Sequence, residues 1–224
     1  GRDIAIRNLQ FIRCQNTTNG AIYLNTAQRV NIEGCIFGTN MTSGSAGYDI
    51  WAGTPGNVYV SGCRSESPAT FYYATNSTGA GAVRDNYISS PQNIAIQGGT
   101  EGNGAGQTEY SNNFFASPRS HSFSGEFNFA AINNNILAYN TAITGTMVDL
   151  NASFNIVFMG NVLQATGGST LPLQVQLVTY SRFVGNFIQQ GGTGAFSTVS
   201  LNASDYNLFS NNTILGNTVG LPLI

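Results

Sequence analysis

The sequence predicts an all-β solenoid, a single-domain parallel β-helix of about nine coils. Three observations carry that prediction: a motif recurring about every 25 residues, apolar residues spaced by two, and polar turns between short runs. The motif is plainest in the second half of the chain. Ile132-Asn133-Asn134-Asn135-Ile136-Leu137, Phe158-Met159-Gly160-Asn161-Val162-Leu163, Phe183-Val184-Gly185-Asn186-Phe187-Ile188 and Phe209-Ser210-Asn211-Asn212-Thr213-Ile214 share the form apolar-x-(Gly/Asn)-Asn-x-apolar. Carried backwards, its Asn column falls on Asn113, Asn86, Cys63, Cys35 and Leu9, at intervals of 22 to 28 residues.

Each coil begins with a strand whose marker stands three residues before the column. These markers are Ile6, Ile32, Val60, Val83, Tyr110, Ile132, Phe158, Phe183 and Phe209, all apolar. The corner follows, where an Asn accepts the left-handed conformation of a tight turn and its amide can bond to the equivalent amide one coil away. Cys35 and Cys63 take the same place as small apolar residues, and parallel side-chain vectors suit a disulfide between them poorly. Two residues past the column stand Phe11, Phe37, Ser65, Ile88, Phe115, Leu137, Leu163, Ile188 and Ile214, all apolar but Ser65. A second strand follows in most copies, in Ala21–Leu24, Asp49–Trp51, Phe71–Tyr73, Asn93–Ile96, Met147–Leu150, Leu173–Leu177 and Thr198–Leu201. Spacing of two with β-branched and aromatic residues makes all of these strands. A coil of this kind buries its alternate residues only when the next coil stacks on it, at ~4.8 Å per rung.

Composition narrows the function. The chain has 224 residues, a net charge of −2 and only 8% charged residues, with 27 glycines, 27 asparagines and no lysine. Ordinary domains carry about 25% charged residues. The balance argues against nucleic acid, which needs a basic patch to neutralise phosphates, and no apolar stretch approaches the roughly 20 residues that span a bilayer. Cys14, Cys35 and Cys63 match no zinc-site spacing, the ten acids are dispersed, and neither a metal nor a cofactor is expected.

At the Gly-Asn-x-apolar corners, as in Gly160-Asn161-Val162-Leu163 and Gly185-Asn186-Phe187-Ile188, the chain resembles the right-handed parallel β-helices of the pectate lyase-like superfamily. The resemblance covers residues 3–215 and is structural. Low charge and abundant Asn, Gly, Thr and Ser look most like a phage tailspike, a fibre that binds and cuts bacterial surface polysaccharide. The resemblance implies a homotrimer at the virion surface or outside the cell, of which this chain would be a piece. No catalytic motif of a lyase or hydrolase family is matched, so no active residue is carried over.

Candidate residues come from the stacking of equivalent positions. An outward column of the second strands is expected to read Tyr23, Asp49, Tyr72, Ala95, Ser122 or Ser124, Asp149, Gln176 and Ser200, with Trp51 and Tyr73 close by. Aromatic faces beside Asp and Gln are what sugar rings require, which points to Tyr23, Asp49, Trp51, Tyr72 and Gln176 as substrate-binding residues. Glycoside hydrolysis needs two carboxyl groups about 5–5.5 Å apart for retention or about 6.5–9.5 Å for inversion. Asp49 and Asp149, four rungs apart, are too distant, so Glu126 with Asp149 is the best pair. A lyase would need a base and a cation, for which His121 and Arg119 are the candidates. The alternative is a non-catalytic fibre or adhesin. One more column stands out: Gln10, Ile36, Arg64, Tyr87, Phe114, Ile136, Val162, Phe187 and Thr213 should point outward, and so apolar a row predicts cover by another chain or a loop.

Overall fold

The computed structural model describes residues 3–12, 20–26, 29–38, 47–53, 56–67, 69–74, 80–89, 94–98, 108–116, 121–139, 145–165, 170–191 and 197–216. Its strands are all parallel to their neighbours and form three sheets, two of nine strands and one of eight. Each coil passes from the first sheet through the corner to the second sheet and then to the third. Among the described residues, eight coils have a strand in all three sheets and a ninth contributes Leu208–Ser210 and Thr213–Leu215.

The core lies inside the three sheets and is built of stacked columns. Phe37, Phe71, Phe115, Phe123, Phe158 and Phe183 are fully buried there. Successive coils add rings on rings, as in Phe158 over Phe183 at 5.8 Å and Phe183 over Phe209 at 4.4 Å. Burying one such side chain is worth about 1.5–3 kcal/mol. Because the contacts run from coil to coil, an isolated coil would forfeit most of that sum.

The corner between the first and second sheets differs from expectation in one respect. The left-handed residue is the one before the Asn column: Asn8, Gly34, Gly62, Asp85, Asn112, Asn134, Gly160, Gly185 and Asn211 all have φ between 54° and 65°. The column itself turns inward, and Asn86, Asn113, Asn135, Asn161 and Asn186 are buried. Their amides form a continuous ladder. Nδ2 donates to Oδ1 of the next coil from Asn86 to Asn113 (3.0 Å), Asn113 to Asn135 (3.0 Å), Asn135 to Asn161 (3.0 Å), Asn161 to Asn186 (3.1 Å) and Asn186 to Asn212 (2.9 Å). The other Nδ2 proton goes to a backbone carbonyl of the coil before, such as Asn135 to Tyr110 at 2.9 Å. Each Oδ1 also accepts a backbone N–H, so these polar side chains are satisfied without water. Cys35 and Cys63 occupy the column as buried free thiols, while Cys14 lies outside the described residues.

The third sheet breaks strict alternation in every coil after the first. Two consecutive residues face inward at Asp49-Ile50, Phe71-Tyr72, Ala95-Ile96, Ser122-Phe123, Met147-Val148, Pro172-Leu173 and Thr198-Val199. This local change of phase decides which side chains reach the outside.

Candidate active face on the third sheet

Register fixes the outward column that the phase change creates. It runs Tyr23, Trp51, Tyr73, Gln97, Ser124, Asp149, Gln174 and Ser200, each paired with the next across adjacent strands. Tyr23, Ser124, Asp149 and Ser200 stand where the sequence placed them, and Trp51 and Tyr73, expected close by, belong to the column itself. Asp49 and Tyr72 do not stand in it, nor does Ala95, which is buried. Asp49 is fully buried, with the Ser65 hydroxyl donating to its Oδ2 at 2.6 Å, and Tyr72 is 3% exposed in the core. Both present no surface to a substrate. Tyr72 stands one residue and Asp49 two residues before the outward position of its strand, because strict alternation does not allow for the inward pair. Gln176 does point outward, two residues past Gln174, and receives a hydrogen bond from Gln174 Nε2 at 3.2 Å.

At one end of the face lies an aromatic patch. Trp51 sits between Tyr23 at 4.7 Å and Tyr48 at 5.6 Å, and Tyr48 stacks on Tyr73 at 4.7 Å. Tyr48 was missed by sequence reasoning. It lies three residues before Trp51 rather than two, and only the buried pair Asp49-Ile50 brings both to the outside. Tyr23 is the most open of the four, at 44%.

Further along the same column the face turns polar. Asp149 lies one rung from Ser124 and one from Gln174, and Gln174 Oε1 accepts the Thr146 hydroxyl at 3.2 Å. Burial raises the Asp149 carboxyl above its usual range, partly offset by attraction to His121. The same pair works in reverse on His121, where burial lowers the imidazole and Asp149 opposes it. These shifts place the two side chains in one electrostatic neighbourhood. Glu126 follows Ser124 by two residues, so ladder geometry sets its Cα roughly 8 Å from that of Asp149. It ends a strand held close to the coil before: a side chain at Gly98 would run into the Glu126 carbonyl, and Gly125 has φ 115°.

Two buried polar atoms on this column have no hydrogen-bond partner among the described residues, Trp51 Nε1 and Asp149 Oδ1. Orphaned groups of this kind are uncommon, and a ligand is one way to satisfy them. Among the described residues no arginine lies on the third sheet, and Arg119 falls outside them. No group of three or more metal-ligating side chains occurs among the described residues.

The other outward row stands as the sequence placed it. Gln10, Ile36, Arg64, Tyr87, Phe114, Ile136, Val162, Phe187 and Thr213 pair in one unbroken line on the second sheet. Ile36, Tyr87, Phe114 and Ile136 are exposed, and Tyr87 stacks on Phe114 at 5.6 Å. Comparison of the chain with protein families, with curated proteins and with solved structures finds no match.

Proposed function

We propose that the outer face of the third sheet binds a surface polysaccharide along its length and cleaves it by hydrolysis. The observation that carries this reading is one straight column that begins in stacked aromatics and continues to a half-buried carboxyl whose Oδ1 lacks a partner. Aromatic rings hold sugar faces through apolar contact, while amides and carboxyls orient the hydroxyls. Trp51 and Asp149 are four rungs apart, on the order of 19 Å, so the ligand is an extended chain rather than one sugar.

Asp149 suits the acid role because its environment favours the protonated carboxyl, which can hand its proton to the departing glycosidic oxygen. Glu126, on the neighbouring coil, would take the proton of the attacking water. Cα atoms roughly 8 Å apart on neighbouring coils let the two carboxyls reach the separation that inversion uses, about 6.5–9.5 Å. Function at a virion surface or outside the cell, and assembly as a homotrimer, extend the same reading.

The test is reducing-end release from a panel of capsule and O-antigen polysaccharides, with unsaturated-uronate absorbance followed in parallel. Hydrolysis releases reducing ends without absorbance, and Asp149→Asn and Glu126→Gln each slow it by about 100-fold or more while binding persists. Absorbance rising with the reducing ends would make the enzyme a lyase. A second reading has an observation of its own. Asp3, Glu33 and Glu66 form ion pairs on the other two sheets, a scatter of acids that suits a non-catalytic fibre. Binding without release of reducing ends would establish it.

A further inference from the structure

The first sheet carries a depression of about 270 Å³ on its outer side, lined by Arg7, Asn31, Glu33, Tyr59, Ser61 and Arg84 with nearby backbone. Register explains why a hollow forms there. Arg7, Glu33, Ser61 and Arg84 occupy one outward column on four consecutive coils, so a serine stands between long charged side chains. Beside it runs the column Ala5, Asn31, Tyr59 and Ala82, which sets the Tyr59 ring and the Asn31 amide along one wall. Glu33 and Arg84 are two rungs apart, roughly 9.6 Å, with Ser61 as the floor between them.

From this arrangement we infer that the depression is a second saccharide subsite, taking one neutral pyranose ring. Its volume lies just under the roughly 300–1,000 Å³ of pockets that hold drug-sized ligands, which leaves room for a single ring. The polar groups suit vicinal hydroxyls: a carboxylate accepts from two neighbouring O–H groups, and a guanidinium fork donates to two neighbouring oxygens. Tyr59, 38% exposed, offers its ring to the apolar face of the sugar. Charge selects a neutral ligand. Arg7 is held by Glu33 at 3.1 Å and Arg84 has Asp85 at 4.0 Å, so each cation already faces a carboxylate. An acidic sugar would meet Glu33.

This subsite is on a different sheet from the aromatic face, so the two readings stand or fall separately. The chain has a single tryptophan, Trp51, which lies on the third sheet and reports only on that face. The experiment titrates the protein with methyl glycosides of glucose, galactose and mannose, and with methyl glucuronoside as the acidic counterpart, by saturation-transfer NMR with Trp51 emission recorded alongside. The expected result is binding of at least one neutral glycoside near 1 mM with unchanged Trp51 emission. Tyr59→Ala and Ser61→Val, the second filling the hollow, each weaken it at least tenfold without moving the melting midpoint. Three results would overturn the inference: no neutral glycoside binds, binding survives both variants, or the glucuronoside binds tighter than its neutral counterpart. Loss of Trp51 response to polysaccharide, by contrast, would count only against the third-sheet reading.

Discussion

Asn135 accepts from the backbone N–H and the side-chain amide of Asn113, both at 3.0 Å, and donates to Tyr110 and Asn161 on either side. Truncating it removes four buried hydrogen bonds and leaves the Asn113 backbone N–H and one Asn113 amide proton without an acceptor, each worth about 1–3 kcal/mol when left unsatisfied. Asn135→Ala should therefore lose about 3 kcal/mol or more in urea unfolding, and a loss under about 1 kcal/mol would contradict the ladder. Its neighbour Asn134, at φ 54°, has the opposite character. Asn134→Gly should be neutral or slightly stabilising, whereas Asn134→Ala should cost about 1–2 kcal/mol, because only the backbone conformation matters there. The sequence displayed both columns, but Asn at the two adjacent places hid their division of labour. Gly160 and Gly185 held the clue, since glycine marks the strained position and leaves the amide to its neighbour. Titration of His121 adds a test by pH. Its imidazole is lowered from the ordinary 6.5, so the folded state resists its protonation, and the stability this gives is present above that value. It is lost as pH falls through the folded value. His121→Gln should flatten the acid side of the stability curve below about pH 6.5, measured as the melting midpoint against pH.

At the scale of the strand, period-two reasoning succeeded on the first and second sheets and slipped on the third. The row from Gln10 to Thr213 is one line because those strands alternate regularly after the corner. From the second coil on, strands of the third sheet pass through two consecutive inward residues, which no local composition marks: Asp49-Ile50, Phe71-Tyr72 and Ser122-Phe123 share no chemistry. Stacking of equivalent positions, not the pattern within one strand, sets that phase. The exposed row on the second sheet yields its own expectation. Phe114→Ser with Ile136→Ser should change folding stability by less than about 1 kcal/mol, because both side chains are solvent-facing in one chain. The same double variant should dissociate the proposed homotrimer. Sedimentation velocity reads the difference, and a wild-type chain that sediments as a monomer would contradict the idea that a second copy covers this face.

For the whole molecule, the period of about 25 residues was enough to foresee stacked parallel strands and their core, while the division of each coil among three sheets emerged only in the structure. The site was only half legible. Asp149 and Trp51 share a column although they are 98 positions apart in sequence, and only the solenoid places them on one line. The central claim is that this line holds a glycan chain, and Trp51 emission titrated with the polysaccharide panel tests it most directly. A saturable change in emission is expected with the recognised polymer, weakened at least tenfold in Tyr23→Ala. Binding by any polymer that leaves Trp51 emission untouched, or that is indifferent to Tyr23, would contradict it.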